Sequence, residues 1–378
     1  MNTGATSTER QWMLDFFRGE PVRFPAGRDF PGILTQLART ERAHVLLFAR
    51  LLAQAERIGL PAALASEISA SYQQAAALEM LRQQELCRVL DALRQSGLRC
   101  LLLKGAGLAY TLYDDPCLRD RCDSDLLFAD KSEAERAWLT LQSLGYRRLN
   151  TAGGELVSCQ FPCVRRTRAN DSMLDVHWGI SNASRLRRLS FQEMWEASIA
   201  IPGLGDGARA PCHEHSLLLA CLHRLGHVKD GEHNKLIWLY DLRLLLDALS
   251  DAQWRRALQG MEHKELGGAC LDGLEQACLH FGAGRYPDRL GELRQLALMP
   301  GQQLRMQSSV LVRDISQLRE QPGASQRLQL LAEYLFPPTD YMMNRFHPRW
   351  RWLLPYYYVR RMAAGMGRRL RLHLAIGR

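Results

Sequence analysis

The sequence predicts an α+β protein in which a small mixed-sheet α/β core is flanked by N- and C-terminal helical lobes. Three observations lead there. Apolar residues recur at helical spacing over residues 10–95. Short apolar runs broken by turn residues follow between about 98 and 200. Helical spacing then returns and continues to about residue 335. The division expected is 1–97, 98–200 and 201–340, with a separate basic and aromatic stretch at 341–378.

In the first lobe, Ala38, Val45, Leu46, Phe48, Ala49 and Leu52 share a helical period, and Gly59-Leu60-Pro61 reads as a turn. A long pattern from Ser69 to Gln95, carrying Leu78, Leu81, Leu86, Val89, Leu90 and Leu93, closes at Gly97. Arg99–Leu103 then reads as a buried strand ending at Lys104-Gly105. Ala106–Tyr113 reads as a helix and Asp114-Asp115-Pro116 as a turn. Asp123–Phe128 starts polar and becomes an apolar strand, Lys131–Leu144 is helical with Gly145 as cap, and Ser158–Arg165 and Met173–Trp178 are two more strands. Pro202–Pro211 reads as a linker. Beyond it Leu217–Leu225, Leu236–Leu249 and Ala269–Phe281 have helical periods.

A chain of 378 residues, 47% hydrophobic and 24% charged, is globular in composition, which excludes wholesale disorder. Its ten cysteines contain no CxxC pair, so free thiols in a reducing compartment are preferred to a zinc site or disulfide framework. Residues 1–20 carry Glu9, Arg10, Asp15, Arg18 and Glu20, unlike a signal peptide, and no apolar run is long enough to span a bilayer. The expected location is cytoplasmic. The net charge of +9 equals the nine arginines between Tyr341 and Arg378, a stretch with no acid, so residues 1–340 sum to about zero. The main body is therefore not a basic nucleic-acid binder.

The chemistry concentrates in Asp123-Ser124-Asp125. Residues two apart on a strand share a face, so both carboxylates point the same way and repel unless a cation sits between them. Asp175, set in the apolar Leu174-Asp175-Val176, is a third acid that needs a partner, and the same site on a neighbouring strand supplies one. Three carboxylates holding magnesium suit phosphoryl and nucleotidyl transfer. Lys104-Gly105 at a strand-to-helix turn fits that site, with backbone open to phosphate and a lysine point charge beside it. Arg119, four residues before Asp123, is either a second phosphate contact or a surface arginine.

The run Leu101-Leu-Leu-Lys-Gly-Ala-Gly-Leu-Ala109, together with Tyr113, Pro116, Arg119 and Asp123-Ser-Asp-Leu-Leu127, resembles the signature of the uncharacterised nucleotidyltransferase family. That family is part of the DNA polymerase β-like nucleotidyltransferase superfamily. Gly145-Tyr146 and Leu174-Asp-Val-His-Trp178 resemble its later positions, and the likeness spans about residues 35–300. The resemblance implies that Asp123, Asp125 and Asp175 bind Mg2+ or Mn2+. It also implies that a nucleoside triphosphate is the substrate and that an acceptor (small molecule, peptide or protein) takes the nucleoside monophosphate as pyrophosphate leaves. Lys104-Gly105 stands where the superfamily usually has a Gly-Ser pair. The alternatives are γ-phosphate transfer, as in a kinase, and a non-catalytic scaffold of this fold that binds a protein or membrane.

Several side chains remain. His177 shares a strand face with Asp175, so it either hydrogen-bonds that carboxylate and moves protons or is a satisfied core histidine. His223 and His227, at i and i+4, have zinc-compatible spacing but no HExxH and no nearby thiolate; by resemblance they line the cleft with Lys235, Trp238 and Asp241. No basic residue shares a helix face with Asp241, and a solvated edge position is expected for it. In the tail, Trp350, Trp352 and Tyr356–Tyr358 lie among arginines and precede Met362, Met366, Leu370, Leu372 and Leu374. This pattern suits an anionic membrane surface. A helix packed on the protein's own body, with a solvated basic edge, is the preferred alternative. Nucleic acid is disfavoured because the aromatics cluster apart from most of the arginines.

Overall fold

The structure is a computed structural model. It describes residues 5–25, 27, 29–149, 158–167, 171–181, 186–228, 232–282, 286–303, 318–319 and 323–376, with side chains from residue 8 in the first range and only as far as 365 in the last. The N-terminal helices are α1 (Ala5–Arg18), α2 (Phe30–Thr40), α3 (His44–Ala53), α4 (Ala55–Ile58) and the long α5 (Ala62–Gln95). Gly59, at φ 71°, closes α4, and Pro61 stands at the N-cap of α5, which starts earlier than the apolar pattern alone suggests.

The α/β unit follows as β1 (Leu101–Leu103), α6 (Lys104–Thr111), β2 (Ser124–Leu127), α7 (Lys131–Ser143), β3 (Arg147–Arg148), β4 (Gln160–Arg166) and β5 (Asp171–His177). The sheet order is β1-β2-β5-β4-β3. Strands β2 and β5 are parallel and every other neighbouring pair is antiparallel. A mixed sheet was expected, and the period-2 alternation shows which way it faces. Leu102, Leu126, Leu174, Val176, Phe161 and Cys163 point to a buried layer shared with Leu86, Val89, Leu90 and Leu93 of α5 and Ala134, Ala137 and Leu141 of α7. On the other face, Leu101, Leu103 and Leu127 join the larger core of the helical lobes, while Asp125, Asp175 and His177 occupy the in-register positions beside them.

The rest of the chain adds α8 (Phe191–Glu196), β6 (Ile199–Ala200), β7 (Arg209–Ala210), α9 (His213–Gly226), α10 (Leu236–Ala248), α11 (Asp251–His263), α12 (Gly267–Phe281) and α13 (Pro287–Leu298). Among the described residues, α14 (Ala324–Leu335), α15 (Thr339–Phe346) and α16 (Leu354–Ile376) follow. The expected linker at 202–211 is not one. Strands β6 and β7 pair antiparallel, a 3-10 turn at Pro202–Leu204 fills the bend, and Ile201, Leu204, Ala208 and Ala210 are buried. Its Pro and Gly content resembles a loop, but α5 and β1 lie against it and supply the apolar surface that draws it in. All ten cysteines are free thiols. Among the described residues, no helix is long and apolar enough to cross a membrane.

Candidate active site

Strand β1 passes directly into α6, and the corner is Lys104, a non-glycine residue at φ 48° in the left-handed region. Such a backbone costs about 1–3 kcal/mol and persists only where the surroundings enforce it. Gly107 is part of that enforcement. A Cβ there would lie 2.3 Å from the Leu102 carbonyl oxygen, so only glycine lets the first turn of α6 close onto β1. Gly105, the expected phosphate glycine, is under less constraint. A Cβ at 105 would sit 3.5 Å from Arg119 Nη1, an ordinary contact.

The corner aims Lys104 at the acids. Its Nζ donates to Asp125 Oδ1 at 2.6 Å, and His177 Nε2 lies 2.8 Å from the same oxygen. Asp125 is paired in register with Asp175 across the parallel β2–β5 ladder, which places their carboxylates side by side on one face. Burial alone would raise the Asp125 carboxyl, but the Lys104 ammonium and the His177 hydrogen bond outweigh it and hold the group well below its ordinary 3.8. An ionised carboxylate only accepts, so His177 Nε2 carries the proton of that bond. The partner of His177 is therefore Asp125, not the Asp175 on its own strand. Asp175 Oδ2 accepts from Gln160 Nε2 at 3.2 Å on β4.

Asp175 is left with the charge excess. Burial first, then Asp125 and Asp123, push its carboxyl up to about 6. Asp123, at the mouth of β2, is raised by burial and by Asp125, with Lys104 and Arg42 working against them. Side-chain ligand atoms of Asp125, Asp175 and His177 all lie within 4.8 Å of one another; with Nε2 of His177 donating to Asp125, the two carboxylates are the groups left to face a cation. Asp123 lines the same cleft outside that group. The in-register carboxylates of Asp125 and Asp175, with Asp123 beside them in the cleft, are an oxygen donor set that fits a hard divalent cation, which would relieve the repulsion between the acids.

The cleft before these acids has a volume of about 650 Å³. Its sheet side presents Lys104, Gly105, Asp123, Asp125, Gln160 and Asp175. The facing helical side presents His223, His227, Lys235 and Trp238. The rings of His223 and His227 stand 4.7 Å apart, and Trp238 lies 4.6 Å from the first and 5.0 Å from the second. Burial first, then the Lys104 ammonium and His227, holds the His223 imidazole well below its ordinary 6.5, so it faces the acids uncharged.

Asp241 differs from expectation, and its partner is Arg119, which lines the cleft. Arg119 donates through Nε and Nη2 to both oxygens of Asp241 at 2.8–3.0 Å, and through Nη1 to the Asp120 carbonyl at 2.7 Å. Asp241 is 3% exposed, not at a solvated edge, and also accepts from Tyr113 Oη at 2.7 Å. Its partners come from 122 and 128 residues away in sequence, which helix periodicity on α10 cannot reveal. Sequence reading also passed over Gln160, Arg42 and Tyr334, all of which line the cleft. None of the three stands in a recognisable motif; only the assembled walls bring them in.

A strand-to-helix corner with a lysine is followed by in-register acids on a small mixed sheet that opens to a helical wall. The chain belongs to the uncharacterised nucleotidyltransferase family, whose model matches residues 31–282. That stretch contains every cleft residue named above except Tyr334. No curated protein matches the chain.

Proposed function

We propose that the chain is a metal-dependent nucleotidyltransferase that moves a nucleoside monophosphate from a nucleoside triphosphate to an acceptor and releases pyrophosphate. The observation that carries this reading is the register of Asp125 with Asp175 beneath an open cleft, with Lys104 held on Asp125. Asp123, Asp125 and Asp175 would hold Mg2+ or Mn2+, which when bound supplies charge neutralisation at the phosphates and a more acidic acceptor hydroxyl. Lys104 keeps Asp125 ionised and stands at the N-terminus of α6 with Gly105, where backbone N–H groups favour a phosphate. His177 orients Asp125. Asp175, bonded through one oxygen to Gln160, receives the proton of the acceptor. Trp238 and the neutral His223 offer a flat, partly apolar wall for a base or acceptor. Arg119, held on Asp241 in the cleft wall, serves as a strut, which leaves Lys104 the phosphate contact among the residues named from sequence.

The reading is tested by incubating the protein with magnesium, α-labelled ATP, CTP, GTP or UTP and a cell extract. Label should appear on a product and vanish in Asp125→Asn and Asp175→Asn. Transfer of γ-label with ADP as leaving group would assign the kinase chemistry instead. Function persisting in Asp125→Asn would make the fold a scaffold.

A second contact belongs to the same proposal. Trp350, Trp352, Tyr356 and Val359 are 55–73% exposed around the start of α16, among Arg349, Arg351 and Arg360. The helix packs on its own neighbours through Tyr358 Oη to the Pro337 carbonyl and Arg361 Nη1 to the Tyr334 carbonyl. The aromatic face is left outward, as for a helix resting on an anionic bilayer surface.

A further inference from the structure

Among the described residues five lysines and arginines line the cleft, and their partners set them apart. Lys104 is bonded to Asp125, Arg119 to Asp241, Arg121 to Glu79 and Lys235 to Glu232. The guanidinium of Arg42 has no hydrogen bond or ion pair among the described residues. Arg42 sits in the turn between α2 and α3 at φ 54°, a left-handed conformation that disfavours side chains. The turn is held from both sides. Glu41 Oε2 accepts from Leu236 N at 2.9 Å, which ties it to the first turn of α10. His44 Nδ1 faces Asp120 Oδ2 at 3.6 Å, beyond hydrogen-bond length, and α3 packs against the 3-10 turn at Pro116–Leu118 that precedes Asp123. The turn thus bridges the helical wall and the acid loop, with Arg42 between them at the cleft. Its positive charge is felt at Asp123, whose carboxyl it lowers against the opposing effects of burial and Asp125, and at Glu232 across the opening.

We infer that Arg42 is the residue that grips the terminal phosphates of the nucleotide, on the Asp123 side of the cleft, the role the sequence suggested for Arg119. The inference rests on the nucleotidyltransferase reading and adds to it a division of the cleft. The end near Lys104 and Asp175 takes the reacting phosphorus and acceptor, and the end near Arg42 and Asp123 takes the β- and γ-phosphates. A guanidinium fork matches two phosphate oxygens and stays charged at any working pH. A strained backbone holds at the cleft a guanidinium with no hydrogen-bond partner among the described residues, and a ligand oxygen is what such a group lacks.

The test uses the full-length chain with magnesium, titrated calorimetrically with each of ATP, CTP, GTP and UTP, with the monophosphate of the tightest one, and with inorganic tripolyphosphate. Arg42→Gly and Arg42→Gln are expected to bind the triphosphate and tripolyphosphate roughly tenfold or more weakly, with the monophosphate unchanged. Arg42→Lys should fall between them and wild type. Arg42→Gly should melt at or above the wild-type temperature, since glycine accepts φ 54° without strain. Wild-type triphosphate affinity in Arg42→Gly and Arg42→Gln overturns the inference and leaves the transferase reading standing. Equal losses for mono- and triphosphate overturn it too, because the contact would then lie at the nucleoside end. If wild-type protein binds neither nucleotide nor tripolyphosphate, the transferase reading itself goes, and the inference with it.

Discussion

Asp125 and Asp175 are chemically the same group, 50 positions apart, and the fold separates them by what each one touches. Asp125 has an ammonium and an imidazole within 2.8 Å and stays ionised. Asp175 has burial and two neighbouring acids, and its carboxyl is pushed up from 3.8 to about 6. A raised carboxyl favours the fold while protonated. Its contribution is full below about pH 3.8 and is lost as pH rises through about 6. A divalent cation must displace that proton, so Mn2+ and Mg2+ affinity should climb with pH through about 6 and level off above it. In Asp175→Asn the pH step should disappear from a calorimetric titration. The same variant should melt higher than wild type without metal at pH 7.5, by roughly 1–2 kcal/mol of stability. A metal affinity that is flat across pH 5–7 would contradict the assignment of Asp175 as a ligand.

At the scale of elements, the site depends on two joints. One is the β1–α6 corner, where Gly107 lets the helix close on Leu102 and Lys104 takes the strained turn. The other is the strap from the loop before β2 to α10, made by Arg119, Asp241 and Tyr113. Both members of the ion pair are at most 5% exposed, so removing one leaves an uncompensated buried charge. Asp241→Asn should therefore destabilise the protein by about 3–5 kcal/mol in urea unfolding. The double variant Arg119→Met with Asp241→Leu should recover most of that loss, since the pair is replaced together. If Asp241→Asn unfolds like wild type, Arg119 is free to serve the phosphates after all. The strap was only half legible. Arg119 and Asp241 were each singled out, but a pairing across 122 positions is invisible to any local pattern.

For the whole molecule, the family match ends at 282 while the chain continues through α14 to α16. This last stretch touches the cleft through Tyr334 and exposes an aromatic, arginine-rich face elsewhere. If the face rests on lipid, the protein should sediment with vesicles containing phosphatidylglycerol and not with phosphatidylcholine alone. Trp352→Ala with Tyr356→Ala should weaken that binding by about tenfold. Binding that survives both substitutions, or binding to RNA only, would remove the membrane contact from the proposal.

What the sequence determined by itself was whatever local spacing can encode. It supplied the helix–sheet–helix order, the shared face of Asp123 and Asp125, the strand around Asp175, and Lys104-Gly105 at a strand-to-helix turn. Each follows from a period of two or 3.6 residues or from a turn residue. The tertiary structure alone decided partners and signs. It set Asp125 beside Asp175 and His177 on Asp125, spent Arg119 on Asp241, drew residues 202–211 into the core, and left Arg42 at the cleft. Those outcomes depend on distance through space and on burial, which adjacent letters do not carry.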